Sequence, residues 1–256
     1  MSSQPVPRFD PASYPGPRPR GPVLLHDGEV VDLDVDAWLE GGAGPGVALS
    51  DRPPAPVLHQ PGEVRFGVAY GSNASPARLR DKGLDVEGAV LLPARLAGYV
   101  PAFEARQTGY GAVPLTLVPE PGVVTDTWVL GLPPTATPLL DRTEGRVIDH
   151  TPDQVAPEEA DGRFAPPGTY QLGRVGAVTV AGRWQLPGAL AYLPGRATRV
   201  QCGRDGAWRT WPEVDQAGAV AHLVADGPSR PAPLVAEPVW GPWPRTPVVR
   251  PRFPVA

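Results

Sequence analysis

Apolar residues alternate with small or polar ones along residues 64–70, which read "VRFGVAY". A period of two predicts a β-strand with one well-buried face. Directly downstream, Ser75 has the character of a helix N-cap, Pro76 that of a first helical residue, and Gly83 that of a terminator. The pattern therefore predicts a strand, a tight polar loop at residues 71–74, and then a short helix.

Proline content and hydrophobic patterning divide the chain further. Residues 1–22 are predicted to be a proline-rich arm, packed on the surface or disordered, with Phe9 and Tyr14 as its anchors. Residues 23–62 are predicted to form an N-terminal extension that contains a hairpin turning at Asp27–Gly28 and a short helix.

The strongest strand signals lie within residues 63–225, which are predicted to be the main domain, with an insertion at 146–167. Residues 226–256 are predicted to be a second proline-rich segment, the tail, that wraps over the core. Its predicted contacts with the core are Trp240, Trp243 and Phe253.

Composition and charge exclude several function classes. The chain has 256 residues, 41% of them hydrophobic, which suffices for one substantial core. Its 37 prolines would suggest disorder, but 22 arginines beside one lysine indicate the codon bias of a GC-rich genome. The net charge of -4 and the lack of a basic stripe argue against nucleic acid as a partner.

The sequence also argues against a membrane role, because no apolar run reaches 18 residues. A single cysteine, Cys202, cannot form an internal disulfide and fits a reducing cytoplasm, so a cytoplasmic location is expected. The four histidines, His26, His59, His150 and His222, have no metal-ligand spacing. No metal and no cofactor are expected.

The loop at 71–74 is the strongest candidate for a binding site. Gly71 permits a sharp turn, for which we expect a positive φ. The amides of this loop lie beside a helix N-terminus, where unpaired donors favour an anion such as a carboxylate. An ordinary strand-to-helix turn remains the alternative.

Ordered motifs then support a family resemblance. "VAYGSN" (68–73), "LLPARLAGYVPAF" (91–103), "GAVPLTLVPEPG" (111–122) and "LLDRTEG" (139–145) occur in this order, followed by "GTYQLGRVGAVTV" (168–180) and "ALAYLPG" (189–195). Over residues 64–200 the chain resembles the gamma-glutamylcyclotransferase-like family. The resemblance implies an α+β fold, a small mixed β-barrel with short helices packed around it, here with proline-rich N- and C-terminal extensions.

The resemblance also implies roles for particular residues. Tyr70, Gly71, Ser72 and Asn73 correspond to the loop that holds the glutamyl end of the substrate through backbone amides. Glu144 corresponds to the catalytic acid/base. Tyr170 and Tyr192 correspond to pocket tyrosines, although a purely structural role in the core is an equally open alternative.

The position of Glu144 also favours a role as a base on physical grounds. Thr137 is predicted to cap a two-turn helix, with Pro138 at its first position and Gly145 as its stop. Glu144 then faces the negative end of the helix dipole, which makes its carboxylate a stronger proton acceptor. The alternative is an ordinary solvated residue of the last turn.

Two hypotheses follow from these observations. The first is a cofactor-independent cyclotransferase that converts a small-molecule gamma-glutamyl amine or amino acid into 5-oxoproline and the free amine. The second is a non-catalytic binding module that keeps the fold and uses its extensions for a protein partner or for self-association. The insertion at 146–167 is a lid, a partner surface or a passive spacer. The two hypotheses differ in whether Glu144 and the 71–73 amides share one cavity.

Overall fold

The computed structural model describes residues 3–40, 59–146, 169–233 and 238–250. These residues form a mixed α+β structure dominated by strands. The strands are β1 (Ser3–Pro5), β2 (Val23–His26), β3 (Glu29–Asp32), β4 (Arg65–Ala69), β5 (Ala89–Phe103), β6 (Leu115–Leu132), β7 (Tyr170–Arg174), β8 (Val178–Val180), β9 (Trp184–Leu186), β10 (Leu190–Pro194), β11 (Arg199–Gln201) and β12 (Ser229–Pro231). The α-helices are α1 (Val35–Leu39), α2 (Pro76–Asp81), α3 (Thr137–Thr143) and α4 (Gln216–Val224).

Ten of these strands form one mixed sheet, in the order β1-β3-β2-β5-β6-β4-β10-β7. Strands β4 and β10 run parallel, and the other neighbours pair antiparallel. The long β5 also pairs with β8, which pairs with β9. Within the described residues the path stays open between β1 and β7, so the expected closed barrel is not found.

Strand β4 is more buried than its alternation predicts. Phe66 and Val68 pack in one core cluster, and Ala69 packs in a second cluster on the opposite face. Gly67 leaves room for the indole of Trp243, since a Cβ there would lie 2.6 Å from a ring carbon. Both faces of β4 are therefore covered, because the tail packs on the face that was predicted to be open.

The local signals on either side of the loop are largely confirmed. Helix α2 follows Ser75 and begins at Pro76, and Gly83 has a φ of +72°. Helix α3 begins at Thr137 itself, so Thr137 is its first residue and not its cap as predicted. Glu144 is the C-cap of α3.

Other local predictions are also confirmed. Gly145, which follows the C-cap, has a φ of +63°. The predicted hairpin turn at Asp27–Gly28 joins β2 to β3, with both residues at positive φ.

The arm and the tail both contribute to the core. In the arm, β1 extends the sheet along β3, and Tyr14 is buried in the main core cluster. In the tail, Trp243 is buried as predicted, but Trp240 is 52% exposed, which corrects the expectation that it would be seated in the core. Phe253 and residues 147–167 of the insertion lie outside the described residues. No helix in the described ranges is both long and apolar enough to span a bilayer.

Candidate functional site

The polar loop forms where β4 ends. Tyr70 and Gly71 continue the chain from the strand, and a 3-10 turn at Ser72–Ala74 leads into α2. Gly71 has a φ of -96°, so the expected positive φ is wrong. The position lacks a side chain for a different reason: a Cβ would lie 3.2 Å from the hydroxyl oxygen of Tyr14.

All seven site residues predicted from the sequence line one cavity. They are Tyr70, Gly71, Ser72, Asn73, Glu144, Tyr170 and Tyr192. We call this space the small cavity; its other lining residues are Tyr14, Val68, Ala69 and Leu115. Its volume is about 30 Å³. That volume is close to the share of one water molecule in the liquid.

Glu144 belongs to a polar cluster beside the small cavity. Its Oε1 accepts from Asn73 Nδ2 at 3.3 Å and forms an ion pair with the ammonium group of Lys82. Lys82 also donates to Asn73 Oδ1 at 2.7 Å. Both of these hydrogen bonds to Glu144 are made at Oε1, and within the described residues Oε2 accepts none.

Lys82 is a site residue that the sequence reasoning missed. Its side chain is 2% exposed, and burial lowers its pKa, against the opposing pull of Glu144. The sequence did contain a signal for this residue, because Lys82 is the sole lysine beside 22 arginines and is the C-cap of α2, the short helix after the loop. A guanidinium is larger and planar, and lysine is the more compact cation for one carboxylate oxygen.

The hydroxyl groups of the three predicted tyrosines are all engaged. Tyr70 donates to the carbonyl of Tyr192 at 2.5 Å, and Tyr170 donates to the carbonyl of Leu115 at 3.2 Å. Tyr192 donates to Asp141 Oδ1 at 2.7 Å. These tyrosines therefore line the small cavity with rings that buried hydrogen bonds hold in place.

Asp141 is the centre of a second buried cluster behind the small cavity. Its carboxylate accepts from Tyr192, from Trp243 Nε1 at 3.0 Å, and from Arg146 Nη1 at 2.8 Å. Arg146 also donates to the carbonyls of Val239 and Gly241 in the tail. The cluster thus connects helix α3, which ends at Glu144, to the tail.

The arm supplies one of the lining residues of the small cavity, Tyr14. The Tyr14 hydroxyl oxygen accepts a hydrogen bond from the amide of Leu115 at 2.9 Å and lies beside Gly71. Burial raises the pKa of Tyr14 well above its ordinary range, so its phenol is neutral at physiological pH. The hydroxyl oxygen of Tyr14 thus already accepts the hydrogen bond of the Leu115 amide.

In the ranges described, no three His, Cys, Asp or Glu side chains are grouped closely enough to hold a metal ion.

Comparison with known proteins gives a limited result. No protein-family model matches the chain, and no curated protein matches it significantly. Among solved structures, one described as a gamma-glutamyl cyclotransferase aligns with a TM-score of 0.39 and 16% identity, covering 64% of this chain and 80% of that one. A crystal structure of an uncharacterized protein from Homo sapiens aligns over the same shares with a TM-score of 0.37 and 16% identity. At these values neither likeness identifies a function.

Proposed function

We propose that this protein is a gamma-glutamylcyclotransferase-like enzyme, which converts a gamma-glutamyl amine or amino acid into 5-oxoproline and the free amine. The observation that carries the proposal is that Glu144 and the loop at residues 70–73 line one cavity. The fold thereby brings the motif "VAYGSN" into contact with the motif "LLDRTEG", since Asn73 of the first donates to Glu144 of the second although about 70 residues separate them. The binding-module hypothesis gives no reason for a carboxylate to face this loop.

The amide of Leu115 supports a carboxylate-binding role for the small cavity. This N–H already donates a hydrogen bond to an oxygen atom, that of the Tyr14 hydroxyl. When Tyr14 withdraws, the same amide and those at the start of the 3-10 turn are available to the α-carboxylate of a glutamyl group. The loop then holds one end of the substrate while the chain folds back on itself.

Glu144 is the proposed acid/base. Its Oε2 accepts a proton from the substrate α-ammonium group, and the resulting amine attacks the γ-carbonyl carbon. The new C–N bond closes the five-membered lactam, and the bond from that carbon to the leaving nitrogen breaks. Glu144 returns its proton to the leaving nitrogen, and the second proton that the attacking nitrogen loses on forming the lactam passes through Glu144 to the same amine, which departs as an ammonium ion. Neither an oxidant nor a cofactor is required.

Lys82 is a positioning residue in this scheme. Its ammonium group holds Oε1 of Glu144, which fixes the carboxylate at the edge of the small cavity and leaves Oε2 unpaired among the described residues.

Tyr14 has to leave before the substrate binds. A space of about 30 Å³ accommodates one water molecule, whereas a glutamyl group has ten or so heavy atoms. Apart from Tyr14, the arm is held by β1, by hydrogen bonds at Val6 and Arg18, and by the packing of Phe9 against Arg78 and Tyr110. A local opening of the arm is therefore part of the proposed reaction cycle.

The test is a screen of the full chain and of a Tyr14→Ala variant against gamma-glutamyl amino acids and gamma-glutamyl amines, with 5-oxoproline as the readout. We expect release by both proteins and a higher rate for Tyr14→Ala. Phe9→Ala is the matched control, because Phe9 is an arm residue that packs on Arg78 and Tyr110 and does not line the small cavity. The proposal fails if a folded Tyr14→Ala protein releases no 5-oxoproline from any compound.

A second candidate function is a binding module that uses the extensions for a protein partner or for self-association. The observation that favours it is that the chain's own Tyr14 lines the small cavity and already accepts the hydrogen bond of the Leu115 amide. In that case both proteins of the screen are inactive, and the arm acts only as part of the core.

A further inference from the structure

A second, much larger cavity lies on the other side of Tyr70. It has a volume of about 680 Å³ and is enclosed by the β5–β6 hairpin and the segment at residues 210–213. Small-molecule sites span ~300–1,000 Å³ and are lined mainly by apolar groups. The apolar side chains lining this large cavity include Pro93, Val100, Val124, Trp128, Trp211 and Pro212.

One cation of the arm lines the large cavity. Arg18 donates from Nη2 to the carbonyl of Tyr70 at 3.1 Å, and its guanidinium carbon lies 5.4 Å from the centre of the Trp211 ring. Its Nη1 is buried and has no hydrogen-bond partner among the residues that the structure describes. Across the described ranges, no carboxylate forms an ion pair with Arg18.

The two acidic residues of the cavity wall are engaged elsewhere. Asp126 faces Arg95, with 3.7 Å between its Oδ1 and the arginine Nε, and Glu213 accepts from the hydroxyl of Thr210 at 2.6 Å. Neither carboxylate compensates the guanidinium of Arg18.

Burial without a counter-charge is unfavourable for the guanidinium group of Arg18. Burial lowers the pKa of Arg18 to about 10, so the guanidinium is still charged at neutral pH. A buried charge lacking a partner is a substantial cost to the folded state. A ligand carboxylate would remove that cost through charge-assisted hydrogen bonds, which are stronger than neutral ones.

We propose that the large cavity binds a small apolar monocarboxylate, whose carboxylate pairs with Arg18 and whose hydrocarbon part packs against Trp128 and Trp211. This site is separate from the glutamyl site proposed above. It does not depend on whether the protein cyclises any substrate.

The test uses two probes of equal length, octanoate and octanamide, titrated into the full chain by calorimetry and by tryptophan fluorescence. We expect saturable binding of octanoate with quenching from Trp128 and Trp211. Octanamide, which is nearly the same shape without the charge, should bind at least about tenfold more weakly.

Variants then assign the carboxylate to Arg18. Arg18→Met should lower the octanoate affinity at least about tenfold and abolish the difference between the two probes. Arg196→Met is the matched control: Arg196 is exposed and does not line the large cavity, so octanoate affinity should change less than about twofold.

The proposal is overturned if octanoate does not saturate, or if octanamide binds equally well to the wild-type protein. It is also overturned if folded Arg18→Met binds octanoate as the wild type does. Since Arg18 also holds the carbonyl of Tyr70, thermal unfolding establishes that the variant is folded. The comparison of two probes on the wild type needs no variant and decides the question alone.

Discussion

Lys82 and Glu144 form an ion pair beside the small cavity, with side chains that are 2% and 14% exposed. Removing one partner of a buried pair leaves the other charge uncompensated, which costs ~3–5 kcal/mol. We therefore expect Lys82→Met to lower the free energy of unfolding by about that amount, measured in urea.

The exposed pair of Arg95 and Asp126 provides the control for Lys82→Met. Its side chains are 63% and 94% exposed, so Arg95→Met should cost less than ~1 kcal/mol. Equal losses in Lys82→Met and Arg95→Met would contradict the structural importance given to Lys82.

Gly71 and Tyr14 should be energetically coupled. A Cβ at Gly71 would lie 3.2 Å from the Tyr14 hydroxyl oxygen, so Gly71→Val should destabilise the protein by at least ~1 kcal/mol. Tyr14→Phe removes that oxygen, although it leaves the amide of Leu115 without its acceptor. A double-mutant cycle on these two changes should show that Gly71→Val costs less in the Tyr14→Phe protein. Strict additivity would show that the arm does not occupy this position in solution.

We expect position 67 to tolerate no side chain, because Trp243 of the tail packs directly against Gly67. A Cβ there would lie 2.6 Å from the ring of Trp243, which Asp141 holds through its indole nitrogen. Gly67→Ala should therefore lower the free energy of unfolding by ~1–3 kcal/mol and should not raise the midpoint of the unfolding transition. Gly62→Ala is a matched control, since nothing lies within 4 Å of its Cβ position. A neutral Gly67→Ala would show that the tail is not packed on β4.

Glu104 gives a prediction about pH. The residue is fully buried, and burial raises its pKa above the ordinary value of 4.5, with Arg106 opposing the shift. The folded state thus binds the proton more tightly than the unfolded chain does. The contribution to stability is therefore complete below the unfolded pKa and is lost as pH rises through the folded pKa.

Urea unfolding of the wild type and of Glu104→Gln at a series of pH values measures this contribution. The wild-type stability minus that of the variant should decrease as pH rises from about 4.5 and then become constant. A difference that increases over the same interval would contradict the raised pKa.

Local patterns predicted the strand, loop and helix around the site because their signals are short-range. Alternation over 64–70 and the pair Ser75–Pro76 place β4 and α2 within a few residues. The ordered motifs also predicted which residues line the small cavity, including Glu144 at the end of α3.

Long-range contacts were beyond the reach of those patterns. The arm looked like a surface segment, but Tyr14 is buried because its ring enters the core between Gly71 and Leu115. The sequence analysis assigned no role to Lys82, because its partner Glu144 is distant in the sequence and becomes its neighbour only in the fold. The arrangement of the sheet is also a long-range property. One edge of the long strand β5 pairs first with β2 and then with β8, and no local sequence signal predicts that pairing.

The most direct test of the proposed chemistry is 5-oxoproline release by the wild type and by Glu144→Gln, with each also made in the Tyr14→Ala background to open the small cavity. The glutamine keeps the size of Glu144 but cannot accept the ammonium proton, so turnover should fall roughly 10² to 10⁴-fold. Substrate affinity by calorimetry should change less than about tenfold, because the amides of Leu115 and the loop are untouched. Wild-type turnover by Glu144→Gln would contradict the assignment of Glu144 as the acid/base.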